Sequence, residues 1–269
     1  MINKNSIMTQ DYINCNGQFP YKVLDFHAHM GNFNGGYMPY GSAEKMLQLM
    51  DQANVRCAFF ASHSGLQIGN KYITEEVDVC KKYPGRFKIY MPVFSRYSDA
   101  KEDIKYFESE REQFVGFKIH PSFTGVSLDD PRNTPYWEYA DANGLLVLVH
   151  TWHGLETQTE NVLKKYKNVK MVGGHCFFNN WQFAADMANT YENFYPELTA
   201  VLAKRGALEE IIEGCGSEKI LFGTDMPWFA YTYYIGAILA ADITDEMRKN
   251  ILWNNGVNLL KRYDINLVV

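Results

Sequence analysis

The 269-residue chain has few cysteines, no concentrated positive charge and no long apolar run, and each shortage removes a class of protein. Its five cysteines (Cys15, Cys57, Cys80, Cys176, Cys215) are odd in number, scattered and never spaced Cys-x-x-Cys. That excludes a disulfide framework and a zinc ribbon, and makes a reducing cytoplasm the expected compartment. No Lys/Arg run exceeds Lys164-Lys165 and the net charge is -5. Phosphate binding needs a concentrated basic surface, so nucleic acid is not an expected partner. No apolar stretch is long enough to cross a bilayer, and the opening MINKNSIMTQDYINC has no apolar core of signal-peptide length. A membrane partner is therefore not expected. No Pro/Gly/Ser linker, composition shift or internal repeat marks a domain boundary.

What is there is a globular composition, 46% hydrophobic and 21% charged, with 15% aromatics that suit a large core and an aromatic-lined pocket. Short apolar runs alternate with amphipathic segments almost to the end. The strand candidates are 22–28, 55–61, 87–93, 115–120, 145–150, 169–173, 193–199 and 220–224. Ser42 caps a helix over 43–54. Thr74-Glu75-Glu76 opens another, which stops before Pro84-Gly85. Further helices are predicted over 99–112, 135–143, 156–165, 181–190, 203–215 and 235–241. A closing helix runs over 245–262, with Thr244 as N-cap and Gly256 inside. Eight strand–helix alternations predict a single α/β domain over 21–269, a distorted (β/α)8 TIM barrel with a C-terminal closing helix. Residues 1–20 read as a short N-terminal extension across its bottom.

Residues 25–30, DFHAHM, end the first strand candidate with two histidines one residue apart. Side chains alternate along a strand, so His27 and His29 share a face. They can hold a metal ion, bind an anion or be accidental neighbours. In such a barrel the active site lies at the C-terminal strand ends. All seven histidines fall there: His27 and His29 on strand 1, His63 after strand 2 and His120 on strand 4. His150 and His153 follow at strand 5 and His175 after strand 6, with none on a predicted helix. Asp225 follows strand 8 in ILFGTDMP. Imidazoles with a carboxylate suit zinc, or manganese or another divalent ion, with a position open for water.

The pieces DFHAH, GFKIHP, VLVHT, GGH and LFGTDMPW, in this order from residue 25 to 228, and the closing NILWNNGVNLL resemble the amidohydrolase superfamily. Within it, the resemblance is to the amidohydrolase-2 branch, related to aminocarboxymuconate-semialdehyde decarboxylase. It implies one divalent ion held by His27, His29, His150 and Asp225, with His175 beside the activated water rather than on the metal. Such a centre lowers the pKa of water from about 15.7 toward about 7. Asp225 then orients the water and His175 moves its proton. The expected reaction is hydrolysis of an ester, lactone or amide in a small polar, carboxylated substrate. The branch also holds non-oxidative decarboxylases and hydratases, so a lyase on the same site is the alternative. Lys118 is read as a substrate or structural cation. In two-metal members of the superfamily a lysine there is carboxylated, and His150 and His175 bind the second metal.

His120, His63, Trp152 and Trp228 are further expected substrate contacts. Glu197, in NFYPELT, either orients a ligand histidine or is solvated. His153 and Trp181 belong to the same rim, as substrate contacts or as ordinary loop residues. Arg96 is either a fork for a substrate carboxylate or a surface arginine. The stretch GNFNGGYMPYG after strand 1 suits a lid. A TatD-like nuclease also starts with HxH on strand 1, but Lys118 stands where it needs a carboxylate and the chain is acidic. A dead barrel used as a scaffold is disfavoured because every ligand-type position is filled. Exposed aromatics in YTYY (231–234) suit a homodimer.

Overall fold

The computed structural model describes residues 6–16 and 18–262. Seven parallel strands pair in chain order: β1 (Val23–Met30), β2 (Val55–Ser62), β3 (Phe87–Val93), β4 (Phe114–Ile119), β5 (Leu146–His150), β6 (Lys170–Gly174) and β7 (Phe194–Glu197). Their continuous apolar runs are buried on both faces, as parallel strands beneath helices require. The expected eighth strand over 220–224 is not a ladder. It closes the barrel through two single bridges, Leu221 with Glu197 and Met226 with Ala28. Regular pairing fails because the backbone turns at its end. Thr224 and Asp225 both donate their N–H to His27 O, and Asp225 adopts φ +60°. The architecture is a distorted (β/α)8 TIM barrel.

The helices start where the sequence offers a cap. Ser42 accepts from Lys45 N before Ala43–Gln52, Asp99 from Lys101 N before Ala100–Ser109, and Thr244 from Met247 N before Asp245–Lys249. The closing helix continues through a π segment, Asn250–Asn254, to Lys261. One short helix, His63–Ile68, follows β2 directly with Ser62 as its cap. His63 therefore opens a helix, contrary to the expectation that no histidine lies on one. At six residues the helix is too short for apolar periodicity to reveal it.

Inside the barrel, Leu24, Phe26, Cys57, Phe59, Tyr90 and Leu148 belong to a closed apolar layer. Strict alternation would not let Leu24 and Phe26 point inward together with His27 and His29. A bulge resolves the conflict. Asp25 pairs with Ala58 and Ala28 with Phe60, three steps on β1 against two on β2, and the extra residue shifts the inward parity. The layer is capped below by Leu259 and Leu260 of the closing helix. That helix can lie on Phe26 because Gly256 has no side chain: a Cβ there would be 2.5 Å from Phe26 Cε2.

The helix Ile7–Asn14 docks on the closing segment, with Ile7 N and Met8 N donating to Asp245 and Thr9 Oγ1 donating to Leu239 O. The fully buried Arg248 holds the same corner, donating to the carbonyls of Ile238, Leu239, Ala241 and Ile243. Residues 1–5 and 17 of the expected extension, and 263–269 of the expected domain, lie outside the described residues. All five cysteines are free thiols. Among the described residues, no helix is long and apolar enough to cross a membrane.

Gly256→Ala tests the seal beneath the barrel. Overpacking against Phe26 should destabilise by about 1–3 kcal/mol, outweighing alanine's better helix propensity, and should appear as a lower melting temperature.

Candidate active site

His27 is fully buried at the turn of β1 parity. Its Nδ1 donates to Glu197 Oε2 at 2.7 Å, since a carboxylate only accepts. That leaves Nε2 as an acceptor, 2.9 Å from Lys118 Nζ and 3.3 Å from Asp225 Oδ1. His29 Nδ1 donates to Ala61 O at 3.1 Å, so its Nε2 is also an acceptor, facing Asp225 Oδ1 at 2.9 Å. Acceptors set this closely around one carboxylate oxygen leave room for a cation.

Glu197 ends β7 and receives only donors. Oε1 accepts from Thr199 N and Thr199 Oγ1, both at 2.6 Å, and Oε2 accepts from His27 and from His175 N at 3.3 Å. Of the two sequence readings for Glu197, the structure shows the one that orients a histidine. The eighth segment passes close by because residue 223 is glycine: a Cβ there would be 2.1 Å from Glu197 Oε1. Asp25 anchors the backbone underneath, accepting from His27 N at 3.0 Å and from Thr224 Oγ1 at 2.6 Å. Burial pushes both carboxyls, Asp25 and Glu197, up to about 8, against the hydrogen bonds from Thr199 to Glu197 and from Thr224 and His27 N to Asp25, which favour the ionised forms.

His175 follows β6 on a backbone that L-residues avoid. His175, Cys176, Phe177 and Phe178 all have positive φ, at 72°, 44°, 56° and 56°. Bonds from Cys176 Sγ to Glu197 O and from Phe177 N to Thr151 Oγ1 hold this strained turn. Strain thus gathers at His175 and at Asp225, a pattern found where geometry serves a site. His175 Nε2 lies 2.9 Å from His150 Nδ1, while His175 Nδ1 is buried without a hydrogen-bond partner.

Burial, followed by neighbouring positive groups, pushes His120 and His150 far below the ordinary histidine value, and burial does the same to His27 and His175. These imidazoles are therefore neutral. Burial works against ionised Asp225, yet any positive charge facing it from the side of His27 and His29 outweighs burial and holds its carboxyl well below the usual range. Lys118 is lowered by burial to about 8. Neutral imidazoles beside a carboxylate are the state in which a divalent ion is bound, because ligands must be deprotonated. Ligand atoms of His27, His175 and Asp225 all lie within 4.8 Å of one another. His29 reaches this group through Asp225, and His150 through His175. The ring nitrogens of His27 and His29 facing the Asp225 carboxylate fit such an ion.

Planar side chains run around the centre in a closed circuit of contacts. From His27 the circuit passes to His29 (5.4 Å between ring centroids), His63 (4.9 Å), Phe33 (5.4 Å) and Phe123 (6.2 Å). It returns through His120 (4.2 Å), His150 (3.8 Å) and His175 (4.5 Å) to His27 (4.9 Å). Trp152 extends it, parallel to His150 and to Phe178. Trp228 extends it beside Phe33 and donates Nε1–H to His63 Nε2. Phe33, from the expected lid, lies within the circuit. His63 is pushed down to about 3 by burial and His29, and its other nitrogen donates to Gly31 O.

Other expected residues lie outside this circuit. Arg96 is exposed and donates to Thr124 O. Trp181 donates to Glu210, and His153 is exposed against Phe178. Sequence reasoning does not single out Asp25, Phe33, Phe123 or Phe178. For Asp25 the signal was its place two residues before His27; for the phenylalanines there was none.

Glu197→Gln keeps the size of the side chain but weakens the grip on His27. Divalent-ion affinity should fall about 10- to 100-fold with the fold retained, measured by equilibrium dialysis and circular dichroism.

The family model described as Amidohydrolase matches residues 24–262. No curated protein matches the chain. Among solved structures, 2,6-dihydroxybenzoate decarboxylase from Rhizobium is similar with a TM-score of 0.71 at 15% identity, over 90% of this chain and 99% of that one. A dihydroxybenzoic acid decarboxylase from a Polaromonas species, with bound manganese and the inhibitor 2-nitroresorcinol, gives 0.72 at 18% identity, over 89% and 97%. A probable 2-pyrone-4,6-dicarboxylic acid hydrolase from Acinetobacter baumannii, with citric acid bound, gives 0.70 at 15% identity, over 90% and 100%. At these identities the solved structures establish the fold. The family match reaches further, from the second residue of β1 into the closing helix, and by it the chain belongs to the amidohydrolase family.

Proposed function

We propose that the chain is a metal-dependent enzyme that releases CO2 from a small, flat, conjugated carboxylic acid. The observation that carries this reading is the closed circuit of planar side chains that Lys118 and Asp225 meet at His27. Loss of CO2 leaves an electron pair on carbon, and that pair needs a conjugated plane to spread into. A site walled by rings takes such a plane. Hydrolysis needs only an acyl carbon with a leaving group, and no flatness. Two of the neighbours above are named as decarboxylases of dihydroxybenzoates and the third as a hydrolase of a pyrone dicarboxylic acid, all flat acids. They support the substrate class.

In this reading His27, His29, His150 and Asp225 hold the divalent ion, zinc or manganese. The ion supplies Lewis acidity toward an anionic oxygen of the substrate. Lys118 holds the substrate's negative charge from within the barrel. His120, Trp152 and Trp228 wall the plane. The C–C bond breaks, its electron pair stays on the substrate carbon, and that carbon takes a proton as CO2 leaves. His175 carries the proton: burial keeps its ring neutral, and an anionic substrate beside it favours the protonated form. Glu197 and Asp25 hold His27 in place throughout.

The second reading is the hydrolysis expected from the sequence. One feature favours it: a neutral His175 with an unpartnered Nδ1 is the form a general base needs.

Two measurements test these assignments. His27→Ala and Asp225→Ala should each lose the ion, read as metal equivalents per chain against about one in the wild type. His175→Asn should keep it while turnover falls about a hundred- to ten-thousand-fold; loss of metal would move His175 into the ligand set. Metal-loaded protein should release CO2 from conjugated carboxylic acids in D2O and leave one deuteron on the product carbon. Oxygen-18 from water in an acyl product, without CO2, would establish the second reading instead.

A further inference from the structure

We propose that His63 is a positioning residue that latches the loop over 31–41 to the segment carrying Asp225. His63 is 2% exposed, and both of its ring nitrogens are spent within the protein. Nδ1 donates to Gly31 O at 3.0 Å, and Nε2 accepts from Trp228 Nε1 at 3.0 Å. A neutral imidazole has one N–H and one lone pair. With both committed, the ring has no nitrogen left for a metal ion or a substrate.

What the ring joins defines its role. Gly31 is the root of the mouth loop, and its N–H donates to Gly41 O at 2.9 Å, so the two ends of the loop are tied together. Trp228 lies three residues past Asp225 and donates its backbone N–H to Asp225 O at 2.8 Å. Phe33, within the loop, meets Trp228 edge-on at 4.9 Å and His63 at 5.4 Å. The face of His63 lies parallel to His29, at 4.9 Å and 9°. One side chain thus touches the loop root, the ring of one candidate ligand, His29, and the indole fixed to another, Asp225. Movement of the loop away from the mouth strips His63 of a bond, and movement of Trp228 strips it of the other. The positions of the loop and of Asp225 are coupled.

The same loop has a second, separate tie. Asn34 N donates to Gln67 Oε1 at 2.9 Å and Gln67 Nε2 donates to Asn34 O at 3.1 Å. These bonds involve neither His63 nitrogen and provide an internal control.

The latch makes no use of the proposed reaction and is tested without substrate, by hydrogen exchange of the intact protein followed by mass spectrometry. Trp228→Phe keeps an aromatic ring but loses the N–H. It should speed exchange across 31–41 about three- to tenfold, the scale of one hydrogen bond. His63→Phe should speed it at least as much. The double variant should be no faster than His63→Phe alone, because one partner has nothing to hold without the other. Gln67→Ala should add its effect in full to that of Trp228→Phe. Unchanged exchange over 31–41 in Trp228→Phe would overturn the proposal, as would full additivity with His63→Phe. Non-additivity with Gln67→Ala would overturn it too, since it would mean general loosening. If His63→Phe does not fold, Trp228→Phe and its combination with Gln67→Ala decide the matter alone.

Discussion

A carboxylate wholly buried at the end of a barrel strand needs donors around it, because an uncompensated charge there would cost several kcal/mol. Glu197 obtains them from Thr199 on its own chain segment, from the His27 ring and from the His175 backbone. Satisfying this one group brings β1, β6 and β7 into a single arrangement. It dictates which nitrogen of His27 faces the centre. It also requires a bare residue 223, where any side chain would occupy the space of the carboxylate. The strained turn after β6 is held by the same residue, through the Glu197 carbonyl that accepts from Cys176.

The centre above it combines opposed electrostatic preferences. Desolvation keeps the rings of His27 and His175 neutral, while Asp225 stays ionised against its own burial. Lys118 adds a positive charge that burial weakens but does not remove near neutral pH. The result is a compact set of acceptors around one anionic oxygen, with a cationic side chain at its edge. Rings rather than charged groups form the circuit, which Lys118 and Asp225 meet at His27.

Much of this was legible in the chain. Apolar runs ending in histidine mark β1, β4 and β5 because buried parallel strands need such runs and because barrel sites sit at strand ends. His27, His29, His150, His175 and Asp225 could be read as one group for that reason. The eighth segment could not, because its composition is that of a strand while its backbone is turned by Asp225 and held by single bridges. The β1 bulge was hidden as well: DFHAHM fits plain alternation, and only its pairing with β2 reveals the extra residue. Phe33 comes from a loop and Phe123 from the four-residue helix Pro121–Thr124, both too short to carry periodicity, so their meeting with the histidines is a tertiary fact. The role of Gly256 was concealed for the same reason. Within a helix pattern it reads as a tolerated weakness, yet it is the contact point with Phe26.

That contact has a consequence for how the chain is made. The first barrel strand and the segments that complete its surroundings, over 221–226 and 256–260, are separated in sequence by nearly all of the barrel. On the ribosome, β1 emerges early with Leu24, Phe26 and the inner side of the DFHAHM stretch unmatched. It must wait until the last helix has left the exit tunnel. The strands in between can pair with their neighbours as they appear, but the inner layer stays open at both rims for most of synthesis. A nascent barrel of this kind exposes its future interior for longest at its oldest end. Slow translation or truncation near the closing helix would therefore be felt first in the apolar face of β1, as aggregation of a barrel that lacks only that helix.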